Sequence, residues 1–257
     1  MTLDQKLVAF RTIFYKEVLR FSRIWIQTIL PPVITTSLYF IIFGGLIGRQ
    51  IHAMEGVRYM DFIVPGLIMM AVITNSYSNV VSSFYSAKFQ RSIEEILVSP
   101  TPNWIILSGF IAGGVARGLV VGGVVTVVSL FFSRLHVYNL WVSVSVVLLT
   151  AVLFSLGGFI NSIFARNFDD ISIVPTFVLT PLTYLGGIFY SIQMLPEFWR
   201  RISLGNPILY MINAFRYGFL GISDINLDLS YGIIIAFILV LVAISLYLLD
   251  RGYGMRS

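Results

Sequence analysis

The feature that most constrains this chain is a stretch, residues 142–164, that contains no charged side chain. The hydrocarbon core of a bilayer is about 30 Å thick, and a helix of about 20 residues crosses it. At least five further stretches are nearly as long and as apolar. The chain is therefore expected to lie mostly in a membrane, and its function to be carried out in or across one.

Six segments have the length and composition of membrane-spanning helices. Backbone amides in lipid must be hydrogen-bonded within their own segment, so each span is expected to be helical, and the alternating pattern of a barrel is not seen. The fold class is therefore predicted to be all-α integral membrane. The predicted spans are 25–48, 62–87, 104–132, 140–164, 171–190 and 229–249.

Composition and motifs give little support for an enzyme. Hydrophobic residues make up 57% of the chain and charged residues 11%, whereas soluble domains carry about 25% charged residues. The chain has no cysteine, which excludes disulfides, thiol catalysis and thiolate metal sites. It contains no Gly-x-x-x-x-Gly-Lys-Ser/Thr phosphate loop. His52 and His136 are isolated, and the adjacent carboxylates at 94–95 and 169–170 point apart on a helix, so no metal site is predicted.

Basic residues predict the orientation. The segment before the first span carries five of them, and the following loop carries Arg49 and Arg58. Because cytoplasmic loops are enriched in Lys and Arg, the N-terminus is expected in the cytoplasm, and six spans place the C-terminus there too. The five are Lys6, Arg11, Lys16, Arg20 and Arg23.

Residues 1–24 are predicted to form an amphipathic helix at the cytoplasmic interface. Apolar residues recur at spacings of three and four, which gives one stripe. Such a helix lies flat in the inner leaflet, held by apolar burial and anionic lipid. The alternative is a solvated leader. The stripe is Leu3, Leu7, Phe10, Phe14, Val18 and Phe21.

The third span carries two unusual features. Rows of small residues let another helix approach closely, either at a subunit interface or within one chain. Arg117 lies in the same span and is expected to face protein or water rather than lipid, as part of a polar pathway or of a structural ion pair. The small residues are Gly109, Gly113, Gly114, Gly118 and Gly122.

Two spans contain internal prolines. Pro31 and Pro32 in the first span, and Pro175 and Pro181 in the fifth, are expected to bend their helices, as gates and static bundles both do. Nearby threonines can satisfy the freed carbonyls.

The loop 88–102 is predicted to form a short cytoplasmic helix that docks a soluble partner, or else a plain connector.

Residues 191–228 are the ambiguous part of the chain. The stretch 208–220 is 13 residues long, so a re-entrant or interfacial segment is favoured. If this stretch spanned the membrane, the C-terminus would lie outside.

Three stretches resemble the permease subunit of ABC-2 type ATP-binding-cassette exporters. They are 21–32, which ends in Pro31 and Pro32; 89–100, which holds the two adjacent glutamates; and 168–216, with Asp-Asp-Ile at 169–171, Leu-Gly-Gly at 185–187 and Asn-Pro at 206–207. The resemblance covers nearly the whole chain. It implies an N-terminal helix at 1–24 and a six-helix domain at 25–257, with a cytoplasmic coupling helix at 88–102 and an outer re-entrant hairpin at 191–228.

The resemblance also implies partners and a location. Two permease chains pair with two ATPase subunits in the bacterial inner membrane, and the path forms where the permeases meet. ATP and Mg belong to the partner, so no cofactor is expected in this chain, and no nucleic acid is implied. The cargo is expected to be a glycan, a lipid-linked compound or a hydrophobic compound.

Residue roles follow from the resemblance alone. The coupling residues are expected to be Phe89, Arg91, Glu94, Glu95, Ile96 and Leu97. The candidate path residues are Gln27, Thr35, Tyr39, Asn75, Tyr77, Asn79, Arg117, Thr180 and Tyr184.

Three alternatives remain at this point. An ion-coupled transporter requires partnered ionisable residues at mid-membrane, and no Asp or Glu lies well inside a predicted span. A membrane enzyme or scaffold requires clustered His or carboxylates. The same fold could also extract lipid or relay a signal.

Overall fold

A computed structural model describes residues 1–48 and 54–254, and these residues form helices joined by short turns, without a strand. The predicted all-α class is confirmed for this part of the chain. The predictions that concern Arg49 and His52 lie outside the described residues. The helices are α1 (Leu3–Arg23), α2 (Trp25–Tyr39, continued by π-helical turns Phe40–Ile47), α3 (Tyr59–Phe89), α4 (Ser92–Val98), α5 (Asn103–Ser129), α6 (Leu140–Phe164), α7 (Asp170–Val174), α8 (Thr180–Tyr184), α9 (Glu197–Leu204), α10 (Pro207–Leu220) and α11 (Leu227–Arg251).

Five helices are long and apolar enough to cross a membrane, as expected for an integral membrane protein. Their bounds agree with five of the six predicted spans to within a few residues. They are Trp25–Ile47, Tyr59–Phe89, Asn103–Ser129, Leu140–Phe164 and Leu227–Arg251.

The predicted fifth span is helical over residues 170–184, with a change of hydrogen-bond pattern in its middle. It consists of α7, a π-helical turn Pro175–Leu179 and α8, which follow one another without a gap, and these residues (170–184) are called the broken helix below because their α-helical hydrogen-bond pattern is broken. Proline has no N–H, so Pro175 and Pro181 each remove a backbone hydrogen bond from the helix. Thr180 Oγ1 donates to the carbonyl of Pro175 at 2.9 Å. The prolines thus explain why the hydrogen bonds in the middle of this segment are π-helical rather than α-helical.

Helix α3 is the centre of the bundle. Most of its residues are buried, and it packs against α5, α6 and α10. The approach of α6 depends on Gly158, where a Cβ would lie 2.5 Å from the carbonyl oxygen of Tyr77. Tyr77 therefore lies at a packing contact between two helices.

The five glycines of the predicted small-residue rows in α5 all lie against helices of this chain. At Gly109 and Gly113 an added Cβ would collide with Ile13 and Glu17 of α1. The other three meet α3, and one of them also meets α6. This placement favours packing within the chain over a subunit interface. These three are Gly114, Gly118 and Gly122.

Helix α1 packs against the spans through a face that overlaps its apolar stripe only at Phe21. Its buried residues are Ile13, Glu17 and Phe21, whereas Leu3 and Leu7 of the stripe are 82% and 56% exposed. The stripe was assigned from hydrophobicity, but the close approach of the two α5 glycines selects the face that packs. A carboxylate is therefore buried in this face.

The segment 191–228 forms α9 and α10, tied to the chain that follows the broken helix. The 14 residues of α10 rise roughly 21 Å, which is less than the hydrocarbon core. Asn206 Nδ2 donates to the carbonyl of Leu182 at 2.6 Å, and the buried Arg216 donates to the carbonyl of Gly187 at 2.5 Å. The Arg216 guanidinium also lies 3.8 Å from the centre of the Phe62 ring.

Candidate functional site

A cavity of about 270 Å³ lies between α2 and α3. Pro31 and Pro32 of α2 face it, at the point where their missing N–H groups interrupt the helix. Every side chain that lines it is uncharged, so it can hydrogen-bond a cargo without charge pairing. Its hydrogen-bonding side chains are Gln27, Thr35, Thr36, Tyr39, Thr74 and Asn75.

A second cavity of about 110 Å³ lies between α3 and the broken helix. It shares Met70 and Thr74 with the first cavity, so both open along the same side of α3. Three of its hydroxyls, Thr176, Thr180 and Thr183, come from the broken helix. The two cavities together are called the polar groove.

Tyrosines join α2 to the broken helix at one end of the polar groove. The hydroxyl oxygens of Tyr39 and Tyr184 are 2.7 Å apart, and either can donate. Both rings pack on Phe189, and Phe43 stacks on the same ring. An aromatic cluster thus closes the groove where α2 and α8 meet.

Six of the predicted path residues lie at the groove, and three lie elsewhere. Tyr77 packs on α6, Asn79 hydrogen-bonds to residues of α1, and Arg117 lies on α5 near Arg20. Polar residues in a membrane helix can serve helix packing as well as a path. Sequence interpretation missed Thr74, which adjoins Asn75. It also missed Thr36, Thr176 and Thr183, which line the two cavities beside Thr35 and Thr180. The six are Gln27, Thr35, Tyr39, Asn75, Thr180 and Tyr184.

The surfaces on either side of the groove are apolar and exposed. In α2, Ile34 and Leu38 are each about half exposed, and in the broken helix Phe177 is 73% exposed. None of the described residues of α7 or the following π-helical turn is buried. The polar groove therefore opens between two surfaces that only lipid or another protein can cover.

A buried polar cluster joins α1 to α3. The carboxylate of Glu17 is inaccessible to solvent and accepts hydrogen bonds from Ser83 at 2.5 Å and from Asn79 at 3.5 Å. Arg20 lies 3.5 Å from this carboxylate and donates to both oxygens of Asn79, each at 2.8 Å. Several charge-assisted hydrogen bonds thus hold the N-terminal helix against the spans.

The predicted coupling segment forms the short helix α4, which follows α3 directly. Arg91, at φ 61°, makes the sharp turn between them. Ile93 is buried, with Ile96 and Leu97 packed beside it, while Glu94 and Glu95 are exposed. The helix therefore presents two carboxylates to solvent on a firmly packed base.

The end of α3 is clasped to the loop that leads into the broken helix. The Lys88 ammonium donates to the carbonyls of Ile163 and Ala165 at 2.8 and 2.9 Å, and the Tyr85 hydroxyl donates to that of Arg166 at 3.0 Å. The rings of Tyr85 and Phe89 both pack on Phe168. These contacts, called the Lys88 clasp below, connect the base of α4 to the C-terminus of α6, where a cation is favoured.

Comparison with known proteins identifies the family. Residues 8–220 match the family described as ABC-2 type transporter. The chain belongs to the ABC-2 type transporter family. It is 60% identical to the inner membrane transport permease YadH of Escherichia coli (strain K12) over 251 residues, which cover 97% of this chain and 98% of that one. It is 22% identical to nodulation protein J of Rhizobium leguminosarum bv. viciae over 240 residues, 93% of each chain.

Family membership confirms the resemblance to ABC-2 type permeases and shows that the protein functions in membrane transport. The protein is a membrane transport permease, and its similarity to YadH agrees with an inner-membrane location. Members of this family are permeases rather than catalysts, and membership implies association with an ABC ATPase subunit. Residues 1–48 and 54–254 contain no group of acidic and histidine side chains suited to a metal ion.

Proposed function

We propose that this chain is the membrane subunit of an ATP-driven exporter in which two copies form the translocation path. The observation that carries the proposal is the uncharged polar groove, which opens between the exposed apolar surfaces of α2 and the broken helix. A second copy that covered these surfaces would enclose both grooves. This arrangement produces a hydrogen-bonding path without leaving polar groups in contact with lipid.

The topology completes this proposal. In this proposal residues 170–190 form the fifth of six crossings: the helical part, 170–184, rises about 22 Å, and residues 185–190 complete the predicted span. Helices α9 and α10 then form a re-entrant hairpin on the outer side. With six crossings, both termini, α1 and α4 lie on the cytoplasmic side, in agreement with the five basic residues of α1.

Energy enters through α4 in this proposal. The partner ATPase binds the exposed carboxylates of Glu94 and Glu95, and its closure on ATP moves α4 as a rigid body. The Lys88 clasp passes this movement to the loop that precedes the broken helix. Because the broken helix carries part of the groove, ATP binding would reshape the path.

The side chains that line the polar groove indicate the chemical class of the cargo. They are hydroxyls, amides and apolar groups. A glycan, a lipid-linked compound or a hydrophobic compound suits such a lining, whereas an ionic cargo would lose its hydration without gaining a counter-charge.

Ion-coupled transport has less support. The buried carboxylate of Glu17 is the feature that could carry a proton, but it is paired with Arg20 and lies at the junction of α1 with α3 and α5 rather than in the groove. A coupling carboxylate is expected where both sides of the membrane can reach it in turn.

The coupling role is tested by reversing the charges of α4. The double variant Glu94→Lys/Glu95→Lys, expressed with its neighbouring genes, should lose the co-purifying ATPase and its ATP hydrolysis, because two attractive contacts become repulsive. The matched control is Glu197→Lys, which reverses another exposed carboxylate, on α9. Unchanged ATPase content and hydrolysis in the α4 variant would overturn the coupling role.

A further inference from the structure

The turn that leads into α3 holds a glutamate at a position that suits other residue types. Met54 and Val57 exchange backbone hydrogen bonds of 2.8 and 3.0 Å, which close a two-residue turn. Glu55 and Gly56 occupy the turn at φ 50° and 81°. Turns with positive φ at both positions favour Gly, Asn and Asp. A glutamate in such a conformation therefore indicates a role for its side chain.

The carboxyl group of Glu55 meets a second carboxyl group at one serine. The hydroxyl of Ser191 contacts a carboxyl oxygen of Glu55 and lies 2.8 Å from Oδ1 of Asp224. Ser191 lies in the segment that follows the broken helix, and Asp224 lies between α10 and α11. The cluster of Glu55, Ser191 and Asp224, called the carboxyl latch below, thus joins three separate turns of the chain.

The hydrogen bonds of the carboxyl latch require one more proton than its serine supplies. A hydroxyl group donates one hydrogen bond and accepts two. The N–H of Gln193 donates to Ser191 Oγ at 3.3 Å. Asp224 also accepts the N–H of Ile192 at 3.2 Å, so it is the better stabilised carboxylate and receives the hydroxyl proton. The remaining bond of Ser191, to Glu55, then forms when Glu55 is protonated and donates.

Charge balance leads to the same result. The buried guanidinium of Arg216 is a positive charge that acts on both carboxyl groups of the latch. Arg58, on the same turn as Glu55, pairs instead with Asp61 at 2.9 Å. One guanidinium neutralises one carboxylate, which leaves the second carboxyl group to take up a proton.

The surroundings of Glu55 favour its protonated form. Partial burial of the carboxyl group raises the pKa of Glu55 above its ordinary value, and the neighbouring Asp224 raises it further, against the opposing effects of Ser191 and Arg216. The turn itself is exposed, so the proton exchanges with water. Because the pKa is raised in the folded state, the latch is complete below the ordinary pKa of a glutamate and is lost as the pH rises through the raised pKa.

We propose that protonation of Glu55 closes the carboxyl latch and that loss of this proton opens it. In the closed latch, Glu55 donates to Ser191 and Ser191 donates to Asp224. In the open latch, two carboxylates compete for one hydroxyl proton and repel each other, so the turn before α3 is released from the other two. The proton comes from water and returns to water.

The carboxyl latch lies beside the closed end of the polar groove. Ser191 follows Phe189 by two residues, and the Phe189 ring packs on both tyrosines of the aromatic cluster. Tyr59, four residues after Glu55, donates from its hydroxyl to the carbonyl of Phe189 at 3.1 Å. Opening of the latch therefore loosens the cluster that closes the groove. In the topology proposed above this end faces the outside, and only that placement rests on the proposed function.

Thiol labelling of the full chain in detergent tests the latch. Met54→Cys places the only thiol next to Glu55, at a position that is 5% exposed. Its labelling rate is compared with that of Met54→Cys/Glu55→Gln, in which an amide donates to Ser191 at every pH. The two rates should agree in acidic buffer. In mildly alkaline buffer the single variant should react roughly ten times faster, because local opening exposes its thiol.

The matched control is Met54→Cys/Glu197→Gln, which removes an exposed carboxyl group on α9. Its labelling should follow that of Met54→Cys at both pH values. A second readout needs no cysteine. The wild type and Glu55→Gln should melt together in acidic buffer, and the wild type should melt about 2–4 °C lower in alkaline buffer, a shift typical of a modest loss of stability in a chain of this size.

Two results would overturn the latch. One is a pair of labelling rates, or of melting temperatures, that agree at both pH values. The other is slow labelling in acidic buffer that EDTA abolishes and Ca²⁺ restores, because a divalent cation rather than a proton would then join the carboxyl groups. Neither measurement needs the ATPase or a cargo, so failure of the latch leaves the exporter proposal intact.

Discussion

Gly109 and Gly113 show how single residues position the N-terminal helix. They stand one turn apart on α5, and the side chains of Ile13 and Glu17 fill the space that they leave. This approach brings the carboxylate of Glu17 within reach of Ser83 and Asn79. The small size of Gly109 and Gly113 therefore determines which face of α1 is buried.

The first prediction concerns this contact. Gly113→Ala would place a Cβ closer to Glu17 Cβ than atoms can pack, so α1 must shift, at a cost of about 1–3 kcal/mol. The melting temperature of the detergent-purified chain should fall. Gly123→Ala is the matched control on the same helix, because an added Cβ meets nothing within 4 Å there. Equal melting temperatures of the two variants would contradict the role of Gly113.

Sequence patterns predicted residue types better than residue partners. The glycine rows of α5 were evident from spacing alone, but spacing does not show which helix faces each row. Tyr77 and Asn79 were assigned to the path because they are polar in a span. The structure places them at contacts with α6 and α1, away from the polar groove, and their path roles stay predictions. Rotation of a helix about its axis depends on tertiary contacts, which a single apolar segment does not encode.

At the scale of elements, the relation between α4 and the broken helix carries most of the account. The Lys88 clasp satisfies carbonyls at the C-terminus of α6 and fixes the loop just before Asp170. The break itself lies at Pro175, one π-helical turn before Thr180. A movement of α4 can therefore reach the threonines of the polar groove through a few rigid contacts.

The second prediction tests this route. The chain has no cysteine, so Thr176→Cys provides a unique label in the polar groove. In the complex with its ATPase, maleimide labelling of this cysteine should change on addition of ATP and vanadate. Adding Lys88→Met should abolish that change while the ATPase remains bound, because only the clasp is lost. Lys88→Arg keeps a donor cation and should restore it. A nucleotide response that persists in Lys88→Met would exclude the clasp as the route.

Elements were predicted unevenly from the sequence. Five spans were placed within a few residues, because about 20 uncharged residues leave little choice in lipid. The fifth predicted span was expected to bend at Pro175 and Pro181, but the π-helical turn Pro175–Leu179 was not predicted. Whether a proline bends or breaks a helix depends on the partners of the freed carbonyls, and here Thr180 supplies one.

For the whole molecule, the exposed surfaces beside the polar groove are the decisive feature. Helix α2 and the broken helix leave Ile34, Leu38 and Phe177 uncovered, whereas most residues of α3 are buried. A second copy would cover these residues and seal the groove from lipid. The proposed path therefore requires the proposed dimer. A separate ATPase supplies the energy for transport in this account.

Cysteine cross-linking in native membranes tests this claim most directly. Thr35→Cys places the only thiol at the mouth of the groove, and Val127→Cys places it on an exposed face of α5 away from the groove. The account predicts an oxidant-dependent dimer for Thr35→Cys and a monomer for Val127→Cys. It also predicts that ATP with vanadate changes the dimer yield when the ATPase is present. A monomeric Thr35→Cys chain, or a dimer yield that does not respond to nucleotide, would contradict the account.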